Sequence, residues 1–241
     1  MSRGSAEAPR ADGLFWWRRD VRPGVTVAFT QAAAGNLAFH VGDDDDAVQH
    51  SRARLAEESG VPAFHYMSQV HGRDAAWAGA EAVPTADALL SHGEPIAVMV
   101  ADCVPVVLVG EFDDRGPALA AVHAGRPGLA SGVVTEALTR LREAGAHGLE
   151  AWLGPSICGR CYEVPEAMRD EVDGLVPGTA ATTRWGTPSL DLPAGVRSQL
   201  AAAGVTVHRD AEACTFEDAR FFSHRRAAGE GRIAGLAWVH G

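Results

Sequence analysis

An apolar run at residues 96–110 places an acid and a thiol inside a stretch that otherwise favours burial. The segment "IAVMVADCVPVVLVG" predicts two buried strands, 96–101 and 104–110, with Asp102 and Cys103 between them. A carboxylate without a partner is costly to bury, so such a group usually has a partner or a task. The run therefore predicts a junction between two core strands that carries chemistry.

Strand and helix patterns alternate irregularly along the rest of the chain. Further strands are predicted at 25–30, 62–70, 118–125, 149–154, 205–210 and 233–240, and helices at 43–60, 128–145, 164–175 and 191–204. Because several strands are adjacent in sequence, the pattern favours an α+β fold with mixed β-sheets over a repeating βαβ array. No repeat or low-complexity linker divides the chain, so we expect one domain at 14–241 after a disordered tail at 1–13.

The amino-acid composition limits which binding partners and which cellular location are expected. The formal net charge is −10, and all 21 basic residues are arginine, which excludes lysine chemistry such as a Schiff base. An acidic balance without a basic cluster argues against nucleic acid or an anionic membrane as a partner. The N-terminal residues lack an apolar leader, and four cysteines in a chain of this length fit reduced thiols. We therefore expect a cytoplasmic protein, a monomer or weak homo-oligomer.

Three predicted strands end in a reactive residue beside glycine or a tight turn. These residues are His71 in "MSQVHG", Cys103 in "VMVADC" and His123 in "LAAVHAG". Two imidazoles and a thiolate are a suitable zinc-binding set, and three protein ligands with an open fourth position are typical of catalytic zinc. Cys103 lies 32 residues after His71 and 20 before His123, so nothing local enforces such a site. From the residues alone, the alternative to a joint metal site is that these three are unrelated core or surface residues.

Five motifs resemble, in order, those of the YfiH/YlmD family, also called the polyphenol-oxidase (laccase-domain) or DUF152 family. They are "SQVHG", "ADCVPVVL", "VHAG", "GPSICGRCYEV" and "CTFEDARFFSHRR", and "NLAFHVGDD" resembles the family's N-terminal motif. The resemblance covers residues from about 25 to 240. It implies a layered α/β/β/α fold and zinc held by His71, Cys103 and His123.

The same resemblance implies an activity. The family is linked to phosphorolysis of purine nucleosides (adenosine, inosine, guanosine and methylthioadenosine) and to adenosine deamination, so a purine nucleoside and phosphate are the expected partners. It was first described as a copper laccase. A laccase needs several coppers and clustered histidines, whereas this chain has 10 histidines and no His-x-His pair. Zinc is therefore the expected metal, although copper binds such ligands more tightly and is able to enter in vitro.

The remaining candidate residues follow from the motifs. Asp102 is expected to orient a ligating histidine or to transfer a proton, with a turn-capping acid as the alternative. His40, Tyr162, Phe222 and Arg225 are the candidate substrate-binding residues, because aromatic rings stack on a purine and an arginine holds phosphate. The alternative for each is ordinary packing or a solvated side chain.

Two other functions stay open. Cys103 is a possible nucleophile of a cysteine hydrolase or amidase acting on peptidoglycan precursors, with a histidine as its base. A non-enzymatic zinc-binding partner of cell-wall proteins is the third hypothesis. The "CGRC" segment at 158–161 has no second Cys-x-x-Cys, so a zinc knuckle is not favoured there, and Cys214 is expected to be a buried apolar residue.

The chain departs from the family pattern at two places. The family commonly has "HAGWRG" where this chain has "HAGRPG", so Arg126 and Pro127 replace a Trp-Arg pair. An Arg- and Gly-rich segment is reduced to "QAAAG" at 31–35. Proline fixes φ and removes a backbone donor, so a changed loop after His123 is expected. If the arginine missing from the segment at 31–35 binds an anion or closes the pocket in the family, phosphorolysis is the activity that its loss would weaken.

Overall fold

Strands dominate the fold. The computed structural model describes residues 13–42, 44–80 and 82–240, and the predicted tail at 1–13 lies almost wholly outside them. The strands are β1 Phe15–Arg22, β2 Val25–Thr30, β3 Ala75–Trp77, β4 Ala88–Ser91, β5 Ile96–Val100, β6 Val104–Glu111, β7 Pro117–Ala124, β8 His147–Leu153, β9 Ala180–Thr182, β10 Pro188–Leu190, β11 Thr206–His208 and β12 Ile233–Val239. The α-helices are α1 Asp45–Ser59, α2 Arg126–Ser131, α3 Val133–Glu143, α4 Glu166–Leu175 and α5 Leu192–Ala202.

Two stacked sheets form the centre of the molecule. The larger sheet has six strands in the order β11-β8-β6-β7-β4-β3, with parallel pairs at both edges and antiparallel pairs between them. The smaller sheet has four antiparallel strands in the order β1-β2-β12-β5. Strands β9 and β10 form a separate hairpin. Parallel and antiparallel pairs in one sheet confirm the predicted mixed α+β class.

Three apolar clusters show the order of the layers. On β6, Val106 and Leu108 pack with α3 and α5, whereas Val107 and Val109 pack against the smaller sheet. On the far side of the smaller sheet, Trp238 packs with Leu55 of α1. The order is therefore helix, sheet, sheet, helix, which confirms the predicted α/β/β/α arrangement. Since both faces of β5 and β6 are covered, residues 96–100 and 104–110 are apolar at every position rather than at alternate ones.

Two sequence predictions of secondary structure are wrong. Residues 62–70 form no strand but two isolated bridges, His65 with Ile96 in the smaller sheet and Ser68 with Thr85 beside the larger one. The segment crosses between the layers, so it cannot continue a ladder in either. The helix predicted at 128–145 is broken at Gly132, whose left-handed φ of 91° ends α2 before α3 begins.

Helix starts agree well with the sequence. The aspartates before α1 begin a helix, because the side chain of Asp44 accepts a hydrogen bond from the backbone N–H of Ala47 at 2.8 Å. Asp43 lies outside the described residues. Asp191 caps α5 in the same way through Ala194. In the described ranges, no helix is both long enough and apolar enough to cross a membrane.

Gly154 lies where the two sheets approach each other closely. A Cβ built there would lie 2.1 Å from Cδ1 of Phe29, which is buried on β2. Replacement of Gly154 by alanine is therefore expected to lower the free energy of unfolding by about 1–3 kcal/mol through overpacking. Gly174→Ala is the matched control, because a Cβ there meets nothing within 4 Å and alanine favours helix α4 by up to about 1 kcal/mol. Urea denaturation of both variants measures the difference, and equal stability would contradict the packing argument.

Candidate metal centre

Three distant segments bring His71, Cys103 and His123 together. His123 lies on β7 opposite Pro105 of β6, Cys103 precedes β6, and His71 lies in the loop before β3. Their ligand atoms all lie within 4.8 Å of one another, and Nε2 of His71 is 3.8 Å from Sγ of Cys103. His123 is buried, Cys103 is half-buried and His71 is exposed. The group is therefore anchored in the core and open to solvent on one side.

The buried carboxylate of Asp87 fixes two of these residues. Its Oδ1 accepts hydrogen bonds from Nδ1 of His123 at 2.7 Å and from the backbone N–H of His71 at 3.0 Å. Its Oδ2 accepts from the backbone N–H groups of Gly72 at 2.7 Å and Val70 at 3.2 Å. Because Nδ1 of His123 is occupied, its Nε2 is the nitrogen left for a metal. A carboxylate behind a ligating histidine is a common support for metal sites.

Backbone strain is concentrated here. His71 has a φ of 59° and Asp102 a φ of 84°, and these are the two non-glycine residues with left-handed backbone in the described part of the chain. Such conformations cost on the order of 1–3 kcal/mol and persist where the surrounding structure enforces them. Asp87 holds the His71 turn, and the contacts of Asp102 hold the other turn.

Gly125 allows the imidazole and the thiol to approach each other. A Cβ at this position would lie 2.7 Å from Cδ2 of His71 and 3.1 Å from Sγ of Cys103. A side chain there would push the two groups out of place. The glycine after "HA" is thus a packing requirement of the site.

The thiol and the inner imidazole form a charged pair. Burial alone would raise the pKa of Cys103, but His123 and then His71 lower it to about 6. Burial alone would lower the pKa of His123, but the Cys103 thiolate and Asp87 raise it to about 9. A thiolate at neutral pH is the form that binds metal. The donor set and its open side therefore fit a zinc site with three protein ligands, and metal binding would displace the proton from Nε2 of His123.

Asp102 has a different role from the one expected. Its carboxylate accepts from Oγ1 of Thr215 at 2.6 Å and from the backbone N–H of Arg225 at 2.7 Å, rather than from a histidine. Its backbone carbonyl accepts from the N–H of Ile157 at 3.0 Å. The prediction that Asp102 orients a ligating histidine is therefore wrong, because Asp87 has that position.

The candidate substrate residues divide into two groups. The guanidinium of Arg225 lies over the ring of Tyr162, 5.1 Å from its centroid, and burial followed by the Cys103 thiolate raises the pKa of Tyr162. The pKa of His40 is lowered by burial, then by Arg232 and His71. Tyr162 and His40 therefore lie within electrostatic reach of the centre, and Arg225 lies beside Tyr162. Phe222 instead packs against the core between the sheets and contacts Gly231.

Sequence reasoning missed Asp87, Arg126 and Arg232. The positive charge of Arg126 acts to lower the pKa of Tyr162, and the half-buried Arg232 interacts electrostatically with Cys103 and Asp102. Asp87 in "TADALL" carried the same signal as Asp102, an acid next to a buried strand. Pro127 fits the first turn of α2, so the departure in "HAGRPG" forms a regular helix start rather than an irregular loop.

The fold and this site define a class of layered mixed-sheet proteins with a His-Cys-His centre at the end of the larger sheet. A family model described as multi-copper polyphenol oxidoreductase laccase matches residues 22–240. The chain belongs to this family, and the resemblance found in its motifs is confirmed.

Relatives and solved structures agree with this assignment. The chain is 46% identical over 215 residues to a purine nucleoside phosphorylase of Streptomyces griseus, covering 85% of this chain and 86% of the relative. It is 43% identical over 242 residues to a purine nucleoside phosphorylase of Streptomyces coelicolor, covering 92% of this chain and 98% of that relative. A DUF152 protein of Neisseria meningitidis superposes with a TM-score of 0.81 at 30% identity, over 95% of this chain and 100% of that one. YlmD of Geobacillus stearothermophilus superposes with a TM-score of 0.78 at 29% sequence identity, over 95% of this chain and 99% of YlmD.

The substitution Asp87→Asn tests whether the buried carboxylate holds the metal centre in position. An amide replaces one acceptor oxygen by a donor that faces backbone N–H groups, so His123 and the His71 turn lose their orientation. Zinc affinity is expected to fall about 10- to 100-fold in chelator competition. Asp113→Asn is the matched control, because Asp113 accepts from the exposed His147 at 2.9 Å. An unchanged zinc affinity in Asp87→Asn would contradict the role given to the buried carboxylate.

Proposed function

We propose that this protein is a zinc-dependent purine nucleoside phosphorylase. The observation that carries the proposal is the convergence of His71, Cys103 and His123 into one group, anchored by Asp87 and open on one side. The names of its Streptomyces relatives, which are similar over most of their length, support the substrate class.

Charge around the centre supports an anionic second substrate. The chain carries a net charge of −10, yet Arg232 interacts electrostatically with Cys103, and Arg126 and Arg225 both act on Tyr162. The planar guanidinium binds phosphate through paired hydrogen bonds. We therefore assign phosphate to the side of the centre where Tyr162 stands between Arg126 and Arg225.

The proposed reaction breaks the glycosidic bond of the nucleoside. A phosphate oxygen attacks C1′ of the ribose, and the bond from C1′ to N9 breaks with its electron pair going to the purine. The purine takes up a proton, and ribose 1-phosphate is the other product. In this proposal the arginines hold the phosphate, and His40, within electrostatic reach of His71, exchanges a proton with the base. Zinc held by His71, Cys103 and His123 would supply Lewis acidity toward the nucleoside.

Adenosine deamination is the second reaction proposed for the same centre. Water replaces the amino group at C6 of the purine, and ammonia leaves. The open side of the three-ligand group supports this reaction, since a fourth position is needed for water or substrate. Inosine is its expected product.

A single-metal centre is favoured over a multi-copper oxidase. Coupled copper sites need clustered histidines, whereas the histidine-containing group in the described residues has two histidines and one cysteine. The four free thiols also fit a cytoplasmic protein, and we propose that it acts there as a monomer or weak homo-oligomer without nucleic acid or membrane.

The direct test incubates zinc-replete protein with adenosine, inosine, guanosine or methylthioadenosine, with and without phosphate. Free base is expected to form only with phosphate, together with ribose 1-phosphate (methylthioribose 1-phosphate from methylthioadenosine), and mass spectrometry detects both. Arg126→Ala is expected to raise the KM for phosphate about ten-fold or more, since a charged hydrogen-bond donor is lost.

Arg115→Ala is the matched control, because Arg115 pairs with Asp114 in the turn at the far end of β6 and β7. Its KM for phosphate is expected to equal that of the wild type. Zinc binding without release of base or inosine from any nucleoside would overturn the proposal and favour a non-enzymatic zinc protein.

One observation favours a second function, a cysteine hydrolase or amidase. Cys103, His123 and Asp87 stand in the order of a nucleophile, a base and an orienting carboxylate, and the thiol has a lowered pKa. Iodoacetamide labelling separates the two functions. A zinc enzyme is expected to be labelled at Cys103 only after chelation, whereas equal labelling rates with and without zinc would favour the cysteine nucleophile.

A further inference from the structure

Three cysteines and a glutamate meet away from the first centre. Cys158 and Cys161 belong to the loop between β8 and α4, and Cys214 and Glu217 to the loop between β11 and β12. Their sulfur and carboxylate atoms all lie within 4.8 Å of one another. Cys214 is half-buried and therefore not the buried apolar residue that the sequence predicted.

The backbone holds these side chains in place. The N–H groups of Cys161 and Tyr162 donate to the carbonyl of Cys158 at 2.9 and 3.0 Å, which closes the Cys-x-x-Cys turn. Ser156 pairs with Cys214 as an isolated bridge between the two loops. A Cβ at Gly159 would lie 2.7 Å from Cβ of Asp191, so the turn is also packed from outside. The four ligands are thus positioned by contacts other than their own.

The chemistry of the group suits a cation better than a disulfide or an apolar core. A disulfide would use two thiols and leave the third beside a carboxylate, to which Sγ of Cys161 already donates at 3.3 Å. Three thiolates and one carboxylate are a complete four-ligand set for zinc. Nη1 of Arg184 donates to Oε1 of Glu217 at 2.8 Å and offsets part of the negative charge.

We infer that Cys158, Cys161, Cys214 and Glu217 form a second, structural zinc site. Its four ligands leave no open position, as in zinc sites that stabilise folds. The site would join two loops that reach the first centre: Tyr162 follows Cys161, and Thr215, which follows Cys214, donates to Asp102 at 2.6 Å. The second zinc would therefore hold Tyr162 and Asp102 in position without touching substrate.

The test counts zinc in the full-length protein purified with a reducing agent. Elemental mass spectrometry is expected to find about two zinc ions per chain, about one in Cys214→Ser and about one in Cys103→Ser, the matched control that removes the thiolate of the first centre. X-ray absorption at the zinc edge of the Cys103→Ser variant is expected to show that the ligands of the remaining zinc are mostly sulfur, at a zinc–sulfur distance of about 2.3 Å.

Wild-type protein with a single zinc that Cys103→Ser loses and Cys214→Ser keeps would overturn the inference. So would a disulfide between Cys158 and Cys214 in the reduced preparation. If Cys214→Ser does not fold, Glu217→Gln replaces it, and weaker retention of one zinc ion against a chelator is expected. None of these measurements depends on turnover, so failure of the proposed phosphorylase would be seen separately.

Discussion

The site depends on one buried carboxylate. The side chain of Asp87 is completely buried and accepts four hydrogen bonds, three from consecutive backbone N–H groups and one from His123. Burial alone would raise its pKa, but these hydrogen bonds lower it, so the group remains charged inside the protein. One charge thereby sets both the turn that presents His71 and the ring orientation of His123.

The layered fold explains why the reactive residues lie where they do. Because β5 belongs to the smaller sheet and β6 to the larger one, the chain between them passes from one sheet to the other, and Asp102 and Cys103 lie at that crossing. The carboxylate of Asp102 is satisfied by Thr215 and Arg225, which belong to segments more than 100 residues later in the chain. The acid in the apolar run thus joins distant loops, and the thiol next to it faces the histidines.

The sequence predicted what depends on local pattern. Buried strands such as β6 and the aspartate-capped start of α1 were recoverable from it, whereas the joint set of three candidate ligands was implied only by the family resemblance. Pairing between segments that lie far apart in the sequence was not recoverable. β1 was missed because its charged residues, of which Arg18 and Asp20 are exposed, interrupt the apolar pattern, and residues 62–70 resemble a strand but cross between layers. Asp87, which was not singled out in the sequence, has the role expected of Asp102, because only the tertiary fold decides which acid faces His123. Cys214 joins Cys158 and Cys161 from 53 residues beyond Cys161, a distance that no short motif covers.

The central claim is that His71, Cys103 and His123 hold one zinc ion. Anomalous diffraction at the zinc edge from a crystal of the zinc-replete protein tests it most directly. The account predicts a peak about 2.0–2.1 Å from Nε2 of each histidine and about 2.3 Å from Sγ of Cys103. A map with no peak among these three atoms, while zinc is bound elsewhere in the same crystal, would contradict it.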